Sequence, residues 1–219
     1  MIETVDAGEA FAREAAYLDD VSRNPEKRHL WIWQSPQCLV APRNLAVLPE
    51  FETVSAEMAE LGWPVHVRAT GGDVTPQGPG IINVTHVYGR APGGPVNIAE
   101  EYGRLCAPIE TALGPGSSVG WQPGAFCDGA YNVQYQGLKF AGTAMRFRPC
   151  RADKTRYAIL SHALMLFAPP TQGAIDALNL FLDRMGQGRV IELGAHTGLP
   201  EDCTEHGFLQ RLHAAFLAG

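Results

Sequence analysis

The segment GAFCDGAYNVQYQGLKFAGTAMRF, residues 124–147, joins a glycine-flanked loop to two alternating stretches that meet at Gln136-Gly137. A Gly-containing pair between two such stretches is typical of a tight hairpin turn, so the segment predicts a β-hairpin. Cys127 lies in the loop before the hairpin, and Lys139 follows twelve positions later, just after the turn. The spacing leaves open whether the thiol and the amine act together or are unrelated.

Hydrophobic periodicity places helices and strands around this hairpin. The predicted helices cover 7–21, 51–61 and 96–113, a segment capped by Thr171 and running to Met185, and a final helix that packs Phe208, Leu209, Leu212 and Phe216. The predicted strands are HLWIWQ and QCLVAP, separated by Ser35-Pro36, then WPVHVR and IINVTHVYG. The long apolar run RYAILSHALMLF is typical of a central strand buried on both faces.

These elements alternate without a regular βαβ rhythm, which favours an α+β fold with a mixed or antiparallel sheet flanked by helices. The 219 residues show no linker, internal repeat or low-complexity segment, so we predict a single domain over 1–219. No apolar run approaches the ~20 residues that cross a bilayer, and the N-terminus lacks a signal-peptide pattern. We therefore expect a cytoplasmic protein with no membrane contact.

Charge and cysteine content narrow the possible partners. The net charge of −6 argues against nucleic acid, whose binding depends on clustered Lys and Arg. The five cysteines show no C-x-x-C spacing, so the sequence predicts reduced thiols and no metal site. An acidic carrier protein would need a local basic patch, and the turn containing Arg146, Arg148, Arg151 and Lys154 offers one.

The loop RATGGDVTPQGPGIIN, residues 68–83, is rich in residues that bend the backbone or let it approach a ligand. Its spacing matches neither G-x-G-x-x-G nor G-x-x-x-x-G-K-[ST], so neither a dinucleotide-binding fold nor a P-loop is predicted. Two interpretations of the loop remain open from composition alone. It is either a structural surface loop or a loop that contacts a ligand.

The same loop resembles the signature of the lipoate–protein ligase and octanoyltransferase superfamily, which is related to biotin protein ligase. The ligase signature Arg-Arg-x-Ser-Gly-Gly-Gly-x-Val-x-His-x-x-Gly-x-x-Asn is matched at Arg68, Thr70 (for Ser), Gly71, Gly72, Gly80 and Asn83. The pattern Gly-Gly-x-Val-Thr-x-His-Gly-Pro-Gly of the octanoyltransferases is matched at Gly71, Gly72, Val74, Thr75, Gly78, Pro79 and Gly80. Gln77 stands where both patterns have His, which weakens the ligase interpretation.

The opening hairpin carries two further motifs that resemble this superfamily. Its lysine motif, Gly-x-Lys-[Ile/Phe]-x-Gly-x-[Ala/Ser], is similar to the stretch from Gly137 to Ala144, which contains Lys139, Gly142 and Thr143. One transferase branch also has a pattern similar to Cys-x-Gly-x-Tyr-[Asp/Asn]-Leu, which residues 127–133 match except for Val133 in place of Leu. Together the motifs and layout cover most of residues 30–170.

The resemblance implies a biotin/lipoate protein ligase-like catalytic domain that transfers an octanoyl or lipoyl group to a lysine of a lipoyl-domain protein. In the cysteine-dependent branch, Cys127 would form an acyl thioester and Lys139 would orient the acyl carbonyl. The donor would be an octanoyl or lipoyl carrier protein, and no cofactor would be required. Implied substrate-binding residues are Arg68, Thr70, Gly71, Gly72, Thr75, Gly78, Gly80, Asn83, Gly142, Thr143 and Ala144.

Two alternatives and several candidate residues stay open at this point. One alternative is an ATP-dependent lipoate–protein ligase, which would use ATP and Mg. The other is a non-catalytic acyl-binding relative, which is favoured by Ala69 and Gln77 at positions where the family has Arg and His. Cys150 is a rival nucleophile, since an arginine-rich turn can depress a thiol pKa, but a solvated basic turn is the simpler interpretation of this segment. His162, and less strongly His86, are candidate general bases. Cys38 and Cys106 are predicted core residues.

Overall fold

The computed structural model describes residues 2–91 and 96–218. Its helices are α1 (Ala7–Arg23), α2 (Phe51–Glu60), α3 (Ile98–Leu113), α4 (Gln172–Arg184) and α5 (Glu205–Ala218). Its strands are β1 (Glu3–Thr4), β2 (Arg28–Gln34), β3 (Cys38–Pro42), β4 (Val65–Arg68), β5 (Thr75–Gln77), β6 (Ile81–Arg90), β7 (Ser117–Gly120), β8 (Asn132–Tyr135), β9 (Leu138–Pro149) and β10 (Tyr157–Leu166). Every predicted helix is confirmed, with ends that differ by at most a few residues.

Side-chain caps determine where several helices begin. The Asp6 carboxylate accepts hydrogen bonds from two backbone N–H groups in the first turn of α1. Thr171 caps α4 by accepting from the N–H of Ala174, as predicted. The helix predicted over 96–113 begins at Ile98. The side chain of Asn97 caps α3, so residues 96 and 97 lie outside the helix.

The strands form two sheets, whereas the sequence predicted one. A seven-stranded sheet has the order β1-β2-β6-β10-β9-β8-β7, and a three-stranded sheet has the order β4-β3-β5. The first sheet is antiparallel except for the β1–β2 pair, and β3 pairs with β4 in parallel. Strand β10 is the fourth of seven, which confirms the central position predicted from its apolar run. The general α+β class is also confirmed.

The predicted hairpin is formed by β8 and β9. Gln136 has φ of 51° and Gly137 has φ of 78°, so both turn residues adopt the left-handed conformation of a type I′ turn. Tyr135 lies opposite Leu138 across the turn, and a register shift follows between Val133 and Gln134. The turn therefore fixes where Lys139 enters the sheet.

The two faces of the large sheet are covered differently, and this difference positions the site. Helices α3 and α5 pack one face through a core that includes Leu105, Ile109, Phe140, Phe208 and Leu212. Helix α1 and the small sheet cover the other face, and α2 and α4 pack around the small sheet. Among the described helices, none has the length and apolar character that a bilayer crossing requires.

Candidate active site

Cys127 lies where two loops meet, the segment between β4 and β5 and the segment before β8. Its φ of 46° is unusual for a residue with a side chain, and its fractional exposure is 8%. A methyl group built on Gly72 would lie 2.8 Å from Cys127 Sγ, and Gly72 itself has φ of +105°. Glycine at this position therefore lets the loop backbone approach the thiol.

Lys139 is fully buried and holds the cysteine loop through its backbone. Its Nζ donates to the carbonyl oxygens of Phe126 and, at 2.9 Å, Cys127, and it lies 4.6 Å from the centre of the Phe126 ring. Burial lowers the pKa of Lys139 to about 8, and the electrostatic interaction with Cys127 acts in the opposite direction. The structure thus brings the two predicted catalytic residues together.

His196 is a functional candidate that the sequence did not reveal. Its Nε2 accepts a hydrogen bond from the N–H of Phe126 at 3.2 Å, and its ring stacks on the Phe126 ring at 4.6 Å. Its Nδ1 lies 3.3 Å from the carbonyl oxygen of Leu193, so the proton resides on Nδ1. Burial lowers the pKa of His196 to about 4. The neutral imidazole of His196 therefore holds the backbone of Phe126, the residue that precedes Cys127.

Arg68 organises the loop that faces the thiol. Its Nη2 donates to the carbonyl oxygens of Gly71 at 2.9 Å and Asp73 at 2.8 Å, and its Nη1 donates to Thr75 Oγ1 at 3.3 Å. The guanidinium is buried, and the residue also lines the cavity beside Cys127. Arg68 therefore fixes the positions of Gly71 and Thr75, two other residues of the predicted binding set, and helps to form the cavity wall.

Gln77, which replaces the histidine of the related motifs, pairs with Asn83. Gln77 Nε2 donates to Asn83 Oδ1 at 3.1 Å, and Asn83 Nδ2 donates to Gln77 Oε1 at 2.8 Å. Both amides are buried and line the same cavity as Cys127. The reciprocal bonds tie the end of β5 to β6 across the two sheets.

His162 connects the loop to helix α1. Its Nε2 lies 3.0 Å from Thr70 Oγ1, and its Nδ1 lies 3.1 Å from the carboxylate of Glu14, which is 3% exposed. Glu14 also accepts a hydrogen bond from Thr85 Oγ1 at 2.6 Å. The structure places His162 at the edge of the cavity, with both ring nitrogens hydrogen-bonded. Glu14 was not identified from the sequence.

Cys127 borders two spaces that share part of their lining. An inner cavity of about 40 Å³ lies between the two sheets, and an outer cleft of about 480 Å³ opens to solvent. The inner lining is largely apolar and includes Phe11, Trp33, Val40 and Leu164. Thr143 and Ala144 line both spaces, as Cys127 does.

The five glycines of the predicted binding set occupy different positions relative to Cys127 and the two spaces beside it. Gly71 and Gly72 line the outer cleft, and Gly142 lines the inner cavity, where an added methyl would lie 3.1 Å from Lys139 Nζ. Gly78 and Gly80 lie away from both linings. Gly80 packs closely on Ala168, so these two glycines turn the chain into β6.

Cys150 does not lie in the solvated turn that the sequence suggested. The residue is completely buried, and burial raises its pKa rather than lowering it. Arg148 and Arg151 both pair with Asp19 of α1, at 3.1 Å and 3.0 Å, so part of the basic turn joins β9 to that helix. The solvated position that the sequence favoured for Cys150 is therefore wrong, and the raised pKa also argues against the alternative of an activated thiol.

The remaining candidate residues from the sequence analysis lie away from Cys127 and the two spaces beside it. Cys38 and Cys106 are buried in apolar clusters, as predicted, and burial raises the pKa of each thiol to about 12. His86 faces Phe216 of α5 at 5.2 Å on the opposite side of the large sheet, and burial lowers its pKa to about 4. Within the described residues, no three His, Cys, Asp or Glu side chains converge on a metal site.

Comparison with known proteins assigns the chain to a family. The sequence model of the lipoyl protein ligase A/B catalytic domain matches residues 6–191. The chain belongs to this family. It is 32% identical over 177 residues to an octanoyl-GcvH:protein N-octanoyltransferase of Kyrpidia tusciae, covering 77% of this chain and 60% of that protein. It is also 33% identical to an uncharacterized protein of Cupriavidus necator, covering 99% of this chain and 91% of that protein.

Solved structures confirm the fold of this family member. A lipoate-protein ligase A bound with ATP has a TM-score of 0.66 and 15% identity, with 100% of this chain and 83% of that chain covered. A lipoate protein ligase of Thermoplasma acidophilum with bound lipoic acid, described as putative, has a TM-score of 0.62 and 16% identity, covering 100% of this chain and 83% of that chain. The predicted resemblance to the lipoate–protein ligase and octanoyltransferase superfamily is confirmed.

Proposed function

We propose that this protein transfers an octanoyl or lipoyl group from an octanoyl or lipoyl carrier protein to a lysine of a lipoyl-domain protein, through a thioester on Cys127. One observation carries the proposal. The Cys127 thiol lies between an apolar inner cavity and an open cleft, in a loop held by buried Lys139. The similarity to an octanoyltransferase over 77% of the chain supports the same class of reaction.

In the first step, Cys127 Sγ attacks the acyl carbonyl carbon of the donor. A carbon–sulfur bond forms, the bond between that carbon and the donor breaks, and the donor leaves with the thiol proton. The apolar side chains of the inner cavity are suited to the acyl chain. An eight-carbon chain is larger than the cavity of about 40 Å³, so the chain must widen the cavity or extend into the cleft.

Lys139 supports this step by orienting the acyl carbonyl. A pKa of about 8 leaves the amine largely protonated at neutral pH. An ammonium group has three N–H donors, and two of them serve the carbonyl oxygens of Phe126 and Cys127. The third donor is available to the acyl oxygen, where negative charge develops during attack. Backbone N–H groups near Gly72 or Thr143 are candidates for further donors.

In the second step, the acceptor lysine attacks the thioester from the outer cleft and forms an amide. The test is to mix the protein with an octanoyl carrier and a lipoyl domain without ATP, then measure the intact mass of the lipoyl domain. We expect one added octanoyl group, and none with Cys127→Ser. Lipoate incorporation that requires ATP and survives Cys127→Ser would indicate a ligase. Binding of lipoate without any transfer would indicate a non-catalytic relative.

A further inference from the structure

Two carboxylates flank the cleft through which a nucleophile reaches Cys127. Asp73 and Asp128 approach each other across this cleft, and the guanidinium of Arg189 lies between them. Arg189 Nη1 is 2.6 Å from Asp73 Oδ2 and 3.3 Å from Asp128 Oδ1, and its Nη2 donates to the carbonyl oxygen of Ala125 at 3.1 Å. One cation thus contacts both carboxylates beside the thiol.

The two carboxylates of the cleft share the guanidinium of Arg189. Among the described residues, Asp73, Asp128 and Arg189 are the charged side chains in the lining, whereas the buried cations Arg68 and Lys139 donate to backbone carbonyl oxygens of the surrounding loops. Asp73 is fixed, because its Oδ1 accepts from the N–H of Val74 at 2.7 Å and its backbone oxygen accepts from Arg68. Asp128 makes the longer of the two contacts with Arg189, so its carboxylate is the easier one to redirect.

We propose that Asp128, assisted by Asp73, binds the ammonium group of the lysine that accepts the acyl group. The inference rests on the proposed transfer through Cys127. An ammonium is a compact cation with three donors, and charge-assisted bonds to carboxylates are among the stronger ones in proteins. Arg189 occupies the cation position when no lysine is present, and it keeps the loops of Asp73 and Asp128 together.

The same carboxylate prepares the amine for attack. The bound ammonium gives one proton to Asp128, and the lone pair that this frees forms the nitrogen–carbon bond to the thioester. The carbon–sulfur bond then breaks, the sulfur leaves as thiolate, and it takes the second proton from the new amide nitrogen. Asp128 later releases its proton to solvent, so the step needs no further reactant.

The experiment separates loading of Cys127 from attack by an amine. Wild type and Asp128→Asn are loaded with octanoyl N-acetylcysteamine, a small thioester that has no lysine to bind. The loaded proteins then receive a lipoyl domain, butylamine or hydroxylamine. Butylamine is a cation at neutral pH and mimics lysine, whereas hydroxylamine is largely neutral. Asp128→Glu retains the charge, and Asp202→Asn removes an exposed carboxylate outside the cleft.

We expect Asp128→Asn to load within twofold of wild type and to react with hydroxylamine within twofold. Transfer to the lipoyl domain and to butylamine should be at least tenfold slower, Asp128→Glu should recover part of it, and Asp202→Asn should match wild type. Equal rates of wild type and Asp128→Asn toward butylamine would overturn the inference, as would equal losses toward butylamine and hydroxylamine. A wild type that never loads would overturn the proposed function and this inference with it.

Discussion

The buried ammonium of Lys139 donates to the backbone carbonyl oxygen of Cys127 at 2.9 Å, so the lysine holds the backbone of this cysteine in place. This bond helps to hold Cys127 in its left-handed conformation, with φ of 46°. The two residues therefore form one structural unit.

Replacing Lys139 with Met should change how stability depends on pH. Burial lowers the pKa of Lys139 from 10.5 to about 8, so between these values the unfolded state binds more protons than the folded state. Wild-type stability should rise relative to Lys139→Met as the pH increases through that window, by at most about 3 kcal/mol. Urea unfolding from pH 7 to 11 measures this difference. A difference that does not change with pH would contradict it, and Lys154→Met at an exposed lysine is the control.

Replacing Gly72 with Ala should disrupt the thiol site, and Gly71 provides the matched control. A methyl on Gly72 would lie 2.7 Å from Arg68 Nη2 and 2.8 Å from Cys127 Sγ, at φ of +105°, whereas a methyl on Gly71 meets nothing within 4 Å. We expect Gly72→Ala to slow acylation of Cys127 at least tenfold and to lower the free energy of unfolding by about 1–3 kcal/mol. Gly71→Ala should stay within twofold of wild type. Similar acylation rates for Gly72→Ala and Gly71→Ala would show that the close approach of the Gly72 backbone to the Cys127 thiol is unimportant.

Replacing His196 with Phe should keep the aromatic stack and remove the acceptor for the N–H of Phe126. An unpartnered buried N–H costs about 1–3 kcal/mol, and the loop of Cys127 loses a brace, so acylation should slow. Burial lowers the pKa of His196 from 6.5 to about 4, which means that the unfolded state binds more protons in this range. Wild type should therefore lose stability relative to His196→Phe as pH falls from 6.5 toward 4. Thermal unfolding across that range is the measurement, with the exposed His206→Phe as control.

The Gln77–Asn83 pair should behave as one unit in a double-mutant cycle. Gln77→Leu or Asn83→Leu alone leaves a buried amide without its partner, and each should cost about 1–3 kcal/mol of stability. The double variant should be more stable than the sum of the single effects implies, with a coupling of about 1 kcal/mol or more. Urea unfolding of the four proteins gives that coupling. Strict additivity would mean that the two amides do not depend on each other.

The sequence predicted features that depend on neighbouring residues. The β8–β9 hairpin follows from the conformations available to Gln136 and Gly137, and the helix cap at Thr171 follows from local side-chain chemistry. Motif spacing also placed Cys127 and Lys139 in one unit, although their roles remain predictions.

Features that depend on distant pairing were missed. Apolar alternation in β3 indicates a strand and does not specify its partner, so the division into two sheets was not predicted. The bond between His196 and Phe126 spans 70 positions, and the bond between Glu14 and His162 spans 148. No local pattern marks such residues, because their neighbours in the chain are not their neighbours in space.

Acylation of Cys127 is tested most directly by the intact mass of the protein after incubation with an octanoyl donor and no acceptor. We expect an increase by one octanoyl group, located by peptide mapping at Cys127, reversed by hydroxylamine and absent in Cys127→Ser. Cys150→Ser should still acquire the group, since that thiol is completely buried. An unmodified wild-type protein, or a Cys127→Ser variant that still modifies a lipoyl domain at the wild-type rate, would contradict the covalent mechanism.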